Sequence, residues 1–297
     1  MSDANNNLKQ RVRDFWETHP CGSKFTAAEF GTKDFFELIE IHRYESERHI
    51  PVAADFASSQ GKQVLEIGCG IGTDGVQFAK AGAVYTGVDL TTAAIDLAKK
   101  NFELRGLEGK FQTADAEKLE FADSAFDVVY SHGVLHHTPD TKKAISEVHR
   151  VLRPGGKAIV MLYHRNSYNH AVNIRLFRRV GAYMLKWNSG VRAVHSLTGE
   201  PLSSLKEHAA RLRNDRQHYF EQQEFLNNNT DGIGNPLARV YSRREALELF
   251  RDFARVRLQT YFLNKRFIPV AGKVLPLALE DRLASRWGWH LWVYAEK

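Results

Sequence analysis

Cysteine is nearly absent: Cys21 and Cys69 are the only two in 297 residues, and Cys69 lies inside a glycine-rich stretch. That scarcity argues against a disulfide framework or a cysteine-rich metal site and fits a reducing, cytoplasmic setting. Long apolar runs are also missing. Nothing approaches the roughly 18 uninterrupted apolar residues of a membrane-spanning helix, so none is expected. The segment Met1 to Asn7 lacks the charged start and apolar core of a signal peptide. No internal repeat and no low-complexity tract interrupts the chain.

What is present is ordinary globular composition, 43% apolar and 26% charged, enough for one large domain or two of usual size. The net charge of +6 is unevenly placed. Between His164 and Arg216 stand ten basic residues against Glu200, Glu207 and Asp215, a net of +7 that covers the whole surplus. Such a segment is either a solvated helical face or a surface for an acidic substrate, a lipid headgroup or nucleic acid.

The chain is organised around Gln63 to Lys80. Gln63–Ile67 is a short run with β-branched residues and reads as a buried parallel strand. Gly68, Gly70 and Gly72 make a tight turn, and the residues from Thr73 read as the start of a helix. A strand, a glycine turn and a helix N-terminus present bare backbone N–H groups to an anionic or zwitterionic ligand. Two fingerprints overlap there. Gly70, Gly72 and Gly75 fit G-x-G-x-x-G, with Asp89 following Gly70 by 19 residues, as in dinucleotide sites. Glu66, Gly68, Gly70 and Gly72 fit a second spacing, E-x-G-x-G-x-G.

Helical spacing is expected over Leu8–Thr18, ended by His19 to Ser23, and over about Lys33–His49, with Pro51 breaking it. Beyond Gln63 strands and helices alternate. Strands are expected at Ala83–Val88, Lys110–Thr113, Phe126–Tyr130 and Ala158–Tyr163. Thr91 or Thr92 caps a helix to Leu104, and Thr138-Pro139-Asp140 opens another through Leu152 that Arg153-Pro154-Gly155-Gly156 stops. That alternation implies an α/β fold with a parallel, doubly wound sheet. Residues 164 to about 240 read as helical. Ser242 to Glu245 is a capping box opening a helix Arg243–Phe253. Val256–Phe262 and His290–Ala295 are further strands, and Phe267 to Trp287, with Pro269 and Pro276, holds one short helix.

Asp89, at a strand end, can accept both hydroxyls of a ribose. Phe126 to His137, with Leu152-Arg153-Pro154-Gly155-Gly156, closely resembles the class I S-adenosylmethionine (SAM) methyltransferases, in the branch around ubiquinone and menaquinone C-methylases. The resemblance covers about residues 62–163, and Gly288 to Ala295 is similar to that family's last, antiparallel strand. It implies a Rossmann-like seven-stranded sheet of order 3-2-1-4-5-7-6. It implies Glu66, Gly68, Gly70 and Gly72 around the methionine and ribose, Asp89 and Leu90 at the ribose and adenine edge, Asp115 and Ala116 at the adenine, and Ser131 near the methionine moiety. His136 and His137 are the candidate catalytic residues; either imidazole can take a proton near neutrality or simply pack locally. Tyr163, His164, Arg165 and His170 lack a carboxylate or cysteine to complete a ligand set, so no metal is expected.

The expected division is a helical lid at 1–60, a SAM-binding core at 61–163, a basic helical insertion at 164–240 and a closing segment at 241–297. The insertions are expected to cover the acceptor. The implied function is methyl transfer from SAM to a small-molecule acceptor with an O, S, N or C nucleophile. The alternatives are a nucleic-acid methyltransferase, supported only by the basic insertion, and a SAM-binding protein without catalysis. Ser131-His132-Gly133 departs from the Asn/Asp-Pro-Pro-aromatic block of nucleobase amino methyltransferases, which disfavours nucleic acid. Membrane contact is at most peripheral. The sequence leaves the oligomeric state open.

Overall fold

The computed structural model describes residues 3–18, 26–264 and 275–297. Cys21, the helix stop at His19 to Ser23, and Pro269 lie outside the described residues. Three helices precede the sheet: α1 (Asp3–Thr18), α2 (Lys33–Ser46) and the short α3 (Ile50–Ala54). Alternation follows as β1 (Gln63–Ile67), α4 (Thr73–Lys80), β2 (Val84–Asp89), α5 (Thr92–Leu104), β3 (Lys110–Thr113), β4 (Phe126–His132), α6 (Thr141–Val151) and β5 (Leu152–Tyr163). A π-helical stretch, Asn169–Arg178, runs into α7 (Arg179–Met184), α8 (Asn188–Thr198), α9 (Leu202–Asn214), α10 (Arg216–Tyr219) and α11 (Gln222–Asn228). The chain closes with α12 (Arg243–Leu249), β6 (Arg255–Tyr261), α13 (Leu277–Trp287) and β7 (His290–Glu296).

Seven strands form one sheet in the order β3-β2-β1-β4-β5-β7-β6, as the sequence resemblance implied. The first five pair in parallel. Strand β7 is antiparallel to β5: Gly155 N donates to Lys297 O at one end and His164 N to Trp289 O at the other. The central strands are covered on both faces, which is why β1 and β4 read as near-continuous apolar runs.

Several boundaries differ from expectation for identifiable reasons. Arg153-Pro154-Gly155-Gly156 does not separate helix from strand, because β5 already begins at Leu152. Pro154 favours extended backbone at Arg153, and a register shift against β4, from Phe126↔Leu152 to Val128↔Lys157, absorbs the extra residues. Pro51 ends no long helix. It occupies the first turn of α3, where its missing N–H costs nothing. The cap of α6 is Asp140, whose carboxylate accepts from Lys143 N at 3.0 Å, and not Thr138. The helix after Ser242 stops at Leu249, four residues short of Phe253.

The described chain divides into two compact units. Unit 1 comprises residues 1–162, 243–259 and 291–297, and unit 2 comprises 163–242 and 260–290. Unit 2 is helical around Leu205, Ala209, Leu212, Tyr219 and Phe225. The apolar positions from Leu176 to Trp187 do not all pack inward. Leu176, Phe177, Val180, Tyr183 and Trp187 are exposed. No helix among the described residues is long and apolar enough to cross a membrane.

Gly75 shows how tightly α4 seats on the sheet. A Cβ there would collide with Tyr85 Oη, which donates to Glu66 Oε2 at 2.5 Å. Tyr85 cannot swing aside, because its ring is buried and stacks on Phe102 at 5.2 Å. Helix propensity alone would make Gly75→Ala stabilising by about 1 kcal/mol. Overpacking should win, and the variant is expected to lose about 1–3 kcal/mol in urea unfolding.

Candidate active site

The turn after β1 is pinned to the end of β2. Gly68 N and Cys69 N both donate to Val88 O, at 2.7 and 3.0 Å, and Gly70 N donates to Asp89 Oδ2 at 3.0 Å. Gly68, Gly70 and Gly72 have φ of +75°, +51° and +79°, which L-residues with side chains rarely adopt. At Gly68 a Cβ would collide with Val134, whereas at Gly70 no atom lies within 4 Å of where one would stand. Backbone is therefore bare and approachable at Gly70. The first N–H groups of α4 follow, with the positive end of that helix's dipole.

The structure brings the residues expected to bind cofactor to one end of the sheet, most of them already bonded to protein. Asp89 Oδ1 accepts from Thr91 N and Oγ1, at 3.0 and 2.8 Å, while Oδ2 holds Gly70. Three of about four lone-pair sites are thus used in shaping the turn. Burial pushes the Asp89 carboxyl above its usual range, against the pull of those bonds. Leu90 follows, half-buried. Glu66 is buried, and its bond from Tyr85 fixes it under the turn. Burial and the nearby Asp74 charge hold its pKa well above the usual range. Asp115 Oδ1 accepts from Glu117 N at 2.9 Å, Ala116 is buried, and Ala114 N donates to Asp89 O at 2.8 Å, tying this loop to β2. Ser131 is fully buried with its hydroxyl donating to Ile67 O at 2.9 Å, so it joins β4 to β1 beneath the turn. His136 and His137 sit in a 3-10 turn, Leu135–His137, both buried with ring centroids 4.4 Å apart.

Three groups of residues at this end escaped sequence reasoning. Lys9 on α1 reaches both Asp115 Oδ2, at 2.5 Å, and Glu117 Oε2, at 2.8 Å. Glu17 on α1 accepts from Thr92 N and Ala93 N, at 3.1 and 2.9 Å. It caps α5 from 75 residues away while the hydroxyl of Thr91 serves Asp89. Trp16 meets the His137 ring edge-on at 5.5 Å. Helix α1 is therefore fastened across the strand ends at three places.

The second group centres on Asp74, buried in the first turn of α4. Arg43 grips it bidentately, Nε to Oδ1 at 2.8 Å and Nη2 to Oδ2 at 2.6 Å. Tyr44 Oη donates to Oδ1 at 2.9 Å and Tyr130 Oη to Oδ2 at 2.8 Å. Burial alone would raise the Asp74 carboxyl, but Arg43 and the donated bonds outweigh it and hold it below the usual carboxylate range. The helix carrying Arg43 and Tyr44 was expected from the sequence; their partner on α4 was not.

In the third group Glu47, His49 and His132 bring potential ligand atoms within 4.8 Å of one another. Arg43 Nη2 lies 3.2 Å from His132 Nδ1. A guanidinium can only donate, so Nδ1 accepts and the ring proton sits on Nε2, which faces Glu47 Oε2 at 3.6 Å. Burial, then the Arg43 charge, lowers the pKa of both rings, that of His49 to about 3. These are neutral imidazoles, and a cation ligated by His132 would have to displace that proton beside a guanidinium.

Open glycine backbone, a helix N-terminus and carboxylates after β2 and β3 together fit a nucleoside carrying a zwitterionic tail. The scaffold depends on Asp74, because removing one partner of a buried ion pair leaves the other uncompensated. Asp74→Asn is expected to cost about 3–5 kcal/mol at neutral pH. A depressed carboxyl contributes stability above its unfolded pKa, near 3.8, and loses it as pH falls through the lower folded value. The gap between wild type and variant should therefore be constant above about pH 5 and narrow below about pH 4 in urea titrations. A gap independent of pH down to full unfolding would contradict a charged Asp74.

The profile of a methyltransferase-domain family matches residues 65–160. The chain is 36% identical over 137 residues to a sterol 4-C-methyltransferase of Caenorhabditis elegans, covering 45% of this chain and 41% of that protein. It is 46% identical over 98 residues to a phthiotriol/phenolphthiotriol dimycocerosates methyltransferase of Mycobacterium tuberculosis, covering 32% of this chain and 36% of the relative. The chain thus spans less than half the length of these relatives. Among solved structures, magnesium protoporphyrin IX methyltransferase of Synechocystis PCC 6803, with bound SAH, matches with a TM-score of 0.54 at 13% identity, over 97% of this chain and 99% of that one. That last likeness shows the fold alone. Residues 65–160 thus match a methyltransferase domain, and they lie within the seven-stranded sheet.

Proposed function

We propose that the protein transfers the methyl group of SAM to a small-molecule acceptor. The observation that carries this reading is the open backbone at Gly70, bonded directly to Asp89 and followed by the N-terminus of α4. The matched relatives, one named for a sterol and one for phthiotriol and phenolphthiotriol dimycocerosates, support a small-molecule acceptor.

In this reading Asp89 offers its remaining lone pair to the ribose, Asp115 meets the adenine, and Gly68 to Gly72 carry the methionine part. Helix α1 covers the adenine side, where Lys9 already bridges Asp115 and Glu117. SAM supplies an activated sulfonium methyl, so the protein's task is in-line positioning and exclusion of water. A base is required only for an acceptor that is protonated at the working pH, and His136 or His137 would serve then. The scarcity of cysteine supports a cytoplasmic setting.

Calorimetry is expected to show SAM and its demethylated product binding with Kd on the order of micromolar, and no binding of NAD. Asp89→Ala should weaken SAM by about 1.5–3 kcal/mol, the scale of lost charged hydrogen bonds, in a folded protein. Release of S-adenosylhomocysteine over a panel of sterol, quinone and hydroxylated lipid acceptors checks turnover. NAD binding in place of SAM would overturn the assignment, and tight SAM binding without turnover on any acceptor would reduce it to a SAM-binding protein.

A further inference from the structure

Unit 2 contains a cavity of about 320 Å³ lined by His170, Ile174, Arg175, Arg179, Gln222, Phe225 and Leu226. Its size lies at the lower end of the roughly 300–1,000 Å³ usual for small-molecule sites. Its lining divides into two chemistries. Ile174, Phe225 and Leu226 are buried apolar side chains, while two guanidiniums, a carboxamide and an imidazole supply the polar part.

The charges are not absorbed by neighbours. Arg178, on the same stretch, pairs with Glu200 at 2.5 Å, and Arg211 lies 3.7 Å from Glu207. Among the described residues Arg175 and Arg179 have no carboxylate within the 4 Å of an ion pair. Arg179 instead lays its guanidinium carbon 4.7 Å from the centroid of the Phe225 ring. Stacking of that kind holds the plane of the guanidinium while leaving its N–H edge for a carboxylate or phosphate. His170 is fixed as well, with Nδ1 2.7 Å from Arg165 O and its own N–H bonded to Ser167 Oγ at 3.1 Å.

Backbone geometry sets these groups side by side. His170, Ile174 and Arg175 belong to the π-helical stretch Asn169–Arg178, and Arg179 opens α7. A π-helix takes more residues per turn than an α-helix, so i and i+5 share a face: His170 and Arg175 are so spaced, and Ile174 and Arg179 likewise. Such stretches are uncommon and recur at functional sites.

We propose that this cavity binds a soluble organic anion carrying an apolar chain, the anionic end between Arg175 and Arg179 and the chain along Ile174, Phe225 and Leu226. The site lies within unit 2 and does not rest on the methyl-transfer reading. Its charge also gives the excess of basic residues between 164 and 216 a use that a solvated helical face would lack.

Titration of the full-length protein with octanoate, acetate and 1-octanol tests the assignment by calorimetry. Octanoate is expected to bind with one-to-one stoichiometry, and acetate and 1-octanol at least ten-fold more weakly. Arg175→Gln/Arg179→Gln should lower octanoate affinity at least ten-fold with an unchanged circular dichroism spectrum. Arg175→Gln alone, at an exposed position, should lower it several-fold. The proposal is overturned if 1-octanol matches octanoate, which would leave an apolar hole, or if acetate does, which would leave a charged surface. It is equally overturned if octanoate does not bind, if the double variant binds it as the wild type does, or if the protein ignores octanoate and binds only phosphatidylglycerol vesicles.

Discussion

A carboxylate shut away from water must be matched group by group, and Asp74 is matched by four bonds from three residues on two elements: Arg43 and Tyr44 on α2, and Tyr130 on β4. The match joins elements at the end of unit 1 that carries the glycine turn. It draws α2 onto the first turn of α4, and it fixes the start of α4 immediately behind the glycine turn. Phe35, Phe36 and Ile39 of α2 then pack on Ile71, at the tip of that turn, and on Leu97 of α5. Loss of the charge network would release the helix and the turn together, since the apolar contacts are seated by it.

Most side chains expected at the site are already bonded to the protein itself. Asp89 holds Gly70 and Thr91, Glu66 holds Tyr85, Ser131 holds Ile67, and Lys9 bridges Asp115 and Glu117. This is the arrangement expected of a preorganised site, in which groups that orient a ligand are locked by their own partners. What stays open is backbone at Gly70 and the spare lone pairs of the carboxylates. In the proposed reading, recognition of a nucleoside is then a matter of shape and a few directed bonds.

Unit 2 solves its charge differently. Arg178 and Arg211 find acidic neighbours and Arg216 lies against an aromatic ring, its guanidinium carbon 5.6 Å from the Tyr183 centroid. Arg175 and Arg179 are held beside an apolar wall. Exposed Leu176, Phe177, Val180 and Trp187 flank them, so this segment keeps apolar surface in water beside its charges.

The sequence by itself determined the sheet. Apolar runs bounded by glycines can only be buried parallel strands when helices lie between them, and the glycines at 68, 70 and 72 require a backbone that few other residues adopt. Strand order, and the residues expected at the strand ends, came from the family resemblance. Tertiary structure alone decided who bonds to whom. Glu17 capping α5, Lys9 bridging two acids, and Arg43 meeting Asp74 join residues 31 to 108 positions apart. Local periodicity carries no information over such separations, because the partner of a charge is chosen by where two folded elements meet. The same holds for the cavity of unit 2: the sequence left its arginines as either a solvated face or a binding surface, and only the fold sets Arg175 and Arg179 beside one cavity, with Arg179 against Phe225.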